Sequence, residues 1–279
     1  MFNAVNKTAI VLIAVACMAS CSSESPDKKA AEQLLTQINN EYSAGNYSRA
    51  LALMDTLDTR YHDQLDARRA VTALRPQAIE KVTVERIAEA DNMIATATAE
   101  IENLSPLMKH ISGDDLEGYY VVAAAYDPAF INRNGVEPRV NDADFRFYVV
   151  AQSRSKKIGL NQVALNSTSD QVQTSVIPAS SERVMSVEGS EMASFLPEEA
   201  DTLGRWATEH TVNSATLLGS KSHVALKLSQ KQAESFATAW RFANAKQRLR
   251  SALMLREKLD RQLQTARDHI ANTAEQGTK

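Results

Sequence analysis

Residues 87–111 read IAEADNMIATATAEIENLSPLMKHI. Within them Ile87, Ala90, Ile94, Ala97, Ile101, Leu104, Met108 and Ile111 recur at alternating spacings of three and four, and all are apolar. A 3.5-residue period keeps one stripe of a helix against a partner, so the stretch predicts one helix of a coiled coil. The stripe fails upstream, where Thr83 and Glu80 hold the preceding positions, and Gly113 is expected to end the helix. A second stripe follows the same alternation: Phe242, Ala245, Leu249, Ala252, Arg256, Leu259, Leu263, Ala266 and Ile270, with Arg256 its one polar member. Ser229 is the expected N-cap, and about 43 residues at 1.5 Å each would make a rod about 65 Å long. Residues 77–112 carry six acids and three bases, whereas 229–279 carry ten bases and five acids. Opposite charge favours pairing the two helices and sets their orientation more than it adds stability. Both flank one compact insert, so the shortest connection is an antiparallel hairpin.

The insert, residues 114–228, changes period. Segments 119–126, 144–151 and 222–228 read as strands, and 157–165, 171–177 and 183–188 are further candidates. Asn132–Gly135 and Leu218–Lys221 are turn signals, and Pro197–Glu209 reads as one short amphipathic helix with Leu203 and Trp206 on one face. The chain upstream of the first stripe is helical by pattern. The expected fold class is therefore α+β: a helical N-terminal hairpin and an antiparallel coiled-coil stalk, with a mostly antiparallel β domain inserted between the stalk helices.

Composition bounds the rest. The chain has 279 residues, a net charge of −3, 9 Gly and 7 Pro. A mean hydropathy of −0.31 argues against a polytopic membrane protein, and a pI near 6.0 against a generally basic nucleic-acid binder. Both cysteines, Cys17 and Cys21, lie in the first 21 residues, so no disulfide staples the body.

Residues 9–16 form an apolar run far shorter than the roughly 20 residues of a spanning helix, preceded by Lys7. The sequence that follows, Met18-Ala19-Ser20-Cys21, resembles the lipobox of bacterial lipoproteins. That resemblance implies cleavage before Cys21 and lipidation of Cys21. Ser22, in place of an aspartate, implies sorting to the outer membrane; Cys17 is a second, weaker candidate anchor. Residues 42–51, YSAGNYSRAL, resemble the turn of a tetratricopeptide repeat, with Gly45 at the corner and Ala50 at the close helix contact. One copy implies a helical hairpin and not a solenoid, which needs at least three. The organisation expected is a signal peptide over 1–20, a tether over 21–29 and a helical region over 28–112. A β-rich head over 114–228, a second stalk helix over 229–272 and a tail over 273–279 complete it.

Catalytic patterns are sparse. The five histidines (His62, His110, His210, His223, His269) do not form a helical zinc motif, and no G-x-S-x-G, phosphate loop or G-x-G-x-x-G occurs. S-x-x-K occurs at Ser25–Lys28 and Ser153–Lys156 without companion elements. The acids Asp114, Asp115 and Glu117, and Asp142 and Asp144, crowd two turns without calcium-loop spacing. The aromatics of the insert (Tyr119, Tyr120, Tyr126, Phe130, Phe145, Phe147, Tyr148) fit a core better than a ligand platform. No catalytic residue, metal or cofactor is expected. The expected function is non-catalytic: a lipid-anchored envelope protein presenting a β-rich interaction head on a coiled-coil stalk to a protein partner. Two alternatives are a periplasmic or surface hydrolase with its site in the head, and an envelope adaptor whose coiled coil is the partner surface.

Overall fold

The computed structural model describes residues 25–113, 116–154, 157–178, 180–187 and 189–276. The chain divides into two compact units: residues up to Val82 with those from Ala266 onward, and Thr83–Thr265. The fold is α+β, with antiparallel sheets inserted between helices.

The smaller unit is helical. Helix α1 (Pro26–Ser43) begins inside the stretch expected to be tether, where Ser25 accepts the Lys28 N–H at 3.2 Å and Pro26 sits in the first turn. Gly45, at φ +83°, reverses the chain into α2 (Tyr47–Arg60), a conformation that costs a residue with a Cβ. Tyr42 and Tyr47 meet edge-on across that corner at 5.3 Å. Ala31, Ile38, Ala50, Met54 and Leu57 form the buried contact, joined by Val71 of α3 (Leu65–Thr72) and Ala78 of α4 (Leu74–Leu104). Beside it Asp58 takes both Arg68 (2.9 Å) and Arg75 (2.7 Å).

In the larger unit the two stripes run along α4 and α6 (Gln230–Gln276). Ala90, Ala97 and Ile101 are buried on α4, and Phe242, Ala245, Ala252 and Leu259 on α6. Glu100 pairs with Arg248, and Asp91 with Arg256 at 2.7 Å, so numbers fall on one helix as they rise on the other: the pairing is antiparallel. Within the smaller unit Glu80 of α4 likewise pairs with Arg267 of α6 at 2.9 Å. Thr83, expected to break the stripe, is 1% exposed and continues it.

The first stripe ends sooner than its period suggests. Pro106 lacks the N–H that would continue α4, and a 3-10 turn over Ser105–Leu107 hands the chain to β1 (Met108–Gly113). Met108 and Ile111 therefore belong to a strand and not to the coil, and the β part opens at Met108 instead of 114.

Among the described residues ten strands form two antiparallel sheets. The six-stranded sheet has the order β1-β2-β3-β4-β8-β7, with β2 Leu116–Val122, β3 Gly135–Asn141, β4 Phe147–Ser153, β7 Val184–Val187 and β8 Ser190–Phe195. The four-stranded sheet has the order β10-β9-β5-β6, with β5 Leu160–Asn166, β6 Gln171–Gln173, β9 Ser214–Gly219 and β10 His223–Lys227. Helix α5 occupies Pro197–Glu209, the span expected. Val140, Phe147, Val149 and Phe195 of the first sheet share one core with Val163, Leu165 and Leu217 of the second, Leu203 of α5 and Phe236 and Phe242 of α6.

Strands β3, β8 and β9 were not expected. In β3, Pro138 stands between Val136 and Val140, yet no ladder bond is lost. Asn141 and Arg146 are a hydrogen-bonded pair, so the alternation turns the Pro138 nitrogen away from β4. On its other side β2 pairs with β3 only at Asn141 and Val140. Strand β8 hides behind Glu191, an acid on a core-facing position.

That glutamate is 7% exposed, and its carboxylate accepts the N–H groups of Ile158 (2.8 Å), Gly159 (2.9 Å) and Leu160 (3.2 Å). It ties β8 of one sheet to the start of β5 in the other. All three bonds fall on Oε2, and amide donors on a carboxylate are the stronger class of hydrogen bond; a glutamine would accept more weakly and set its NH2 against the Gly159 N–H, 3.2 Å from Oε1. Glu191→Gln is expected to cost about 2–3 kcal/mol, read as a lower urea midpoint at unchanged slope.

Candidate functional site

The C-terminal half of α5, the loop entering β9 and the first turns of α6 enclose a groove of about 630 Å³. This volume is in the range of ligand and peptide sites. Ala207, Val212, Leu228, Ala233 and Ala237 give it an apolar floor, and His210, Asn213, Glu234 and Arg241 stand among its polar members. Arg241 is exposed and has no ion pair among the described residues, while Glu234 accepts from the Gln230 side chain at 2.8 Å.

Two clasps hold α5. Near its start the Trp240 indole N–H donates to Asp201 at 2.7 Å. One turn on, Gly204 lies against that indole so closely that a Cβ would fall 2.2 Å from Trp240 Cδ1. Glycine is required there by contact and not by φ. At the C-terminal end the Trp206 indole N–H donates to Asp170 Oδ2 at 3.1 Å, and the His210 ring stacks on Trp206 at 4.5 Å and 9°. His210 Nδ1 is 3.1 Å from the Trp206 carbonyl and Nε2 is 3.5 Å from Asp170 Oδ2. The Trp206 hydrogen bond, followed by the Gln171 N–H and the His210 charge, holds the Asp170 carboxyl below its usual range. Trp206 and His210 stand one helical turn apart, a spacing visible in the sequence; Asp170 comes from the loop before β6, and nothing local announces it.

Both nitrogens of His210 face acceptors, so neither directs a lone pair into the groove. That arrangement orients the ring.

A second polar cluster lies on the other face of the six-stranded sheet. Arg139 pairs with Glu137 at 2.6 Å and hydrogen-bonds to Tyr148, and its guanidinium rests 4.1 Å over the Tyr119 ring and 5.7 Å from Phe130. Burial pushes the Glu137 carboxyl up, and Arg139 opposes the shift. The aromatics of the insert thus divide: Phe147, Tyr120 and Phe145 pack into or against the core, while Tyr119, Tyr148 and Phe130 surround a buried ion pair.

The remaining sequence candidates stay apart. His110 pairs with Asp142 at 3.0 Å, and Asp144 accepts the Arg146 N–H at 3.0 Å within its own turn. His62, His223 and His269 are exposed. Ser25 caps α1; Ser153 is buried, and its companion Lys156 lies outside the described residues. Asp114, Asp115, Cys17 and Cys21 also lie outside them, and Glu117 stands in β2. Among the described residues no group of three or more His, Cys, Asp and Glu is arranged to hold a metal, and no helix is long and apolar enough to cross a membrane.

No protein-family model, curated protein or solved structure matches the chain.

Two outcomes follow from these geometries. Arg139→Met leaves Glu137 buried without its partner and is expected to cost about 3–5 kcal/mol in urea unfolding, more than Glu137→Gln. Asp170 has a lowered carboxyl, so its contribution is complete above the ordinary aspartate value of about 3.9 and is lost as pH falls through the lower folded value. In a Trp240→Phe background Trp206 emission is expected to shift below that ordinary value; Asp170→Asn should abolish the transition.

Proposed function

We propose that the chain is a lipid-anchored protein of the bacterial outer membrane that holds a β-rich head for binding a protein partner and performs no chemistry of its own. The observation that carries the binding part is the groove: an apolar floor, Arg241 beside it with no ion pair among the described residues, and a histidine held by both nitrogens. A hydrolase would need an acid, base or nucleophile free to reach a substrate, and His210 offers no lone pair there. The anchor rests on Met18-Ala19-Ser20-Cys21, whose likeness to a lipobox places a diacylglycerol on Cys21. More than one acyl chain holds a protein at a membrane without a spanning helix. The antiparallel segments of α4 and α6 suit a head whose two ends must both return to a common base.

A second reading makes the coil the partner surface. It draws on Val84, Met93, Leu253 and Met254, which are 44–57% exposed on the two paired segments. Single exposed apolar residues are common on soluble surfaces, so the groove is preferred.

Labelling with radioactive palmitate is expected to mark the wild-type protein and not Cys21→Ser. A photocrosslinking residue at Arg241 should give a discrete adduct in intact cells, one at exposed Glu32 of α1 should not, and the Arg241 adduct should fall away in Cys21→Ser. An unlabelled wild type would remove the anchor; absence of any adduct from the groove would remove the binding role.

A further inference from the structure

Strand β10 is one of the two outer strands of the four-stranded sheet, with β6 at the other edge. Its pairing with β9 begins at a hydrogen-bonded position, Gly219 N–H to the Ser222 carbonyl at 3.0 Å. Antiparallel ladders alternate, so Val224 opposite Leu217 and Leu226 opposite Ala215 use their backbone groups on β9. His223, Ala225 and Lys227 then point their N–H and C=O groups off the sheet, and no hydrogen bond among the described residues takes them up. The side chains repeat the division: those of His223, Ala225 and Lys227 are exposed, while Val224 and Leu226 pack against the core. This is an open edge with correct strand geometry, along which three residues each leave a donor and an acceptor unused among the described residues.

Charge says what would pair with it. From His210 to Ala233 the chain contains no acid and three lysines, Lys221, Lys227 and Lys231, in a protein whose net charge is −3. None of the three makes an ion pair among the described residues. Strands β5, β6 and β9 contribute no charged residue, so Lys221 and Lys227 set the sign of this edge. Leu228, which directly follows Lys227, lines the groove. A strand laid along β10 therefore continues toward the floor already described.

We propose that the free edge of β10 is a docking strand, which takes an acidic, extended segment of a partner protein as a fifth strand of this sheet. Backbone bonds to His223, Ala225 and Lys227 supply affinity, and acids at alternate positions of the guest, opposite Lys227 and His223, supply the choice of partner. Lysine on an edge also discourages unplanned pairing, so a guest without acids is excluded by the same residues. The proposal rests on the binding role above, and deepens it.

The test uses the full chain in detergent micelles and a fluorescent peptide, acetyl-Thr-Glu-Val-Glu-Val-Glu-Thr-amide, followed by anisotropy. Saturable binding is expected, about tenfold weaker with Ala225→Pro and with Lys227→Glu, and absent when the glutamates of the peptide are replaced by lysine. Proline at 225 removes an N–H that β9 does not use, which sheets tolerate at an edge, and circular dichroism checks the fold. A peptide N-methylated on alternate residues makes the same test on the unaltered protein and should not bind. The proposal is overturned by no saturable binding, by equal binding of the lysine peptide, or by binding insensitive to both Ala225→Pro and N-methylation. Adsorption to phosphatidylglycerol vesicles that survives Ala225→Pro, with no peptide binding, would assign the basic edge to a lipid surface instead. Loss of palmitate labelling would remove the anchor and leave this result standing, whereas failure of the peptide with labelling intact would remove the edge alone.

Discussion

One carboxylate decides how the two sheets meet. Glu191 sits on the core face of β8, where an apolar side chain would be ordinary, and its oxygens take three consecutive backbone amides from Ile158 to Leu160. Ile158 and Gly159 precede β5 and Leu160 is its first residue, at a break in register, so the chain is there only entering the second sheet. Without an acceptor those amides would be buried donors, each costing about 1–3 kcal/mol. The glutamate removes that cost and fixes the crossing point. Val163, Leu165 and Leu217 can then share a core with Val149 and Phe195. A buried charge is usually a liability; here it is the acceptor that lets the chain change sheets in the interior.

The helical parts were legible because their periods were long. Nine positions from Phe242 to Ile270 define a helical stripe, and the structure buries or half-buries every one of them. The corner at Gly45 and the span of α5 were readable for the same reason: a turn residue at the right place, then amphipathic spacing. The first stripe misled at its end. Met108 and Ile111 fit the spacing by coincidence, and Pro106, whose missing N–H ends a helix, was the better guide. The strands missed carry their own excuses. Strand β3 holds a proline whose nitrogen faces past its neighbour's end, β8 buries an acid, and β9 is built of small residues with little alternation to detect.

The groove was not legible, and its composition shows why. Its members come from the end of α5, the loop before β9 and the first three turns of α6, and most are alanine, threonine, asparagine or valine. Such residues announce nothing singly; the shape exists only after α5 is clasped to α6. Trp206 and His210, the residue that follows α5, are four apart in sequence, but the partner that orders them, Asp170, lies in a loop far from both. The edge of β10 is a similar case. Its strand was predicted, yet whether a strand is inner or outer depends on the sheet order, which no short-range pattern encodes.

The ion pairs along α4 and α6 have a consequence for how the chain folds. Glu100 and Arg248 are 148 residues apart in sequence, Asp91 and Arg256 are 165, and Glu80 and Arg267 are 187. Closing loops of that length is entropically unfavourable, and the few contacts of an unformed seam do not offset it. The β strands, by contrast, pair mostly through hairpins of short reach. Loop entropy thus orders assembly: the insert folds first, its two ends emerge close together, and the helices zip outward from Glu100 and Arg248. The head is therefore the nucleus of its own support, and a lesion in its core delays the coil as surely as one in the seam.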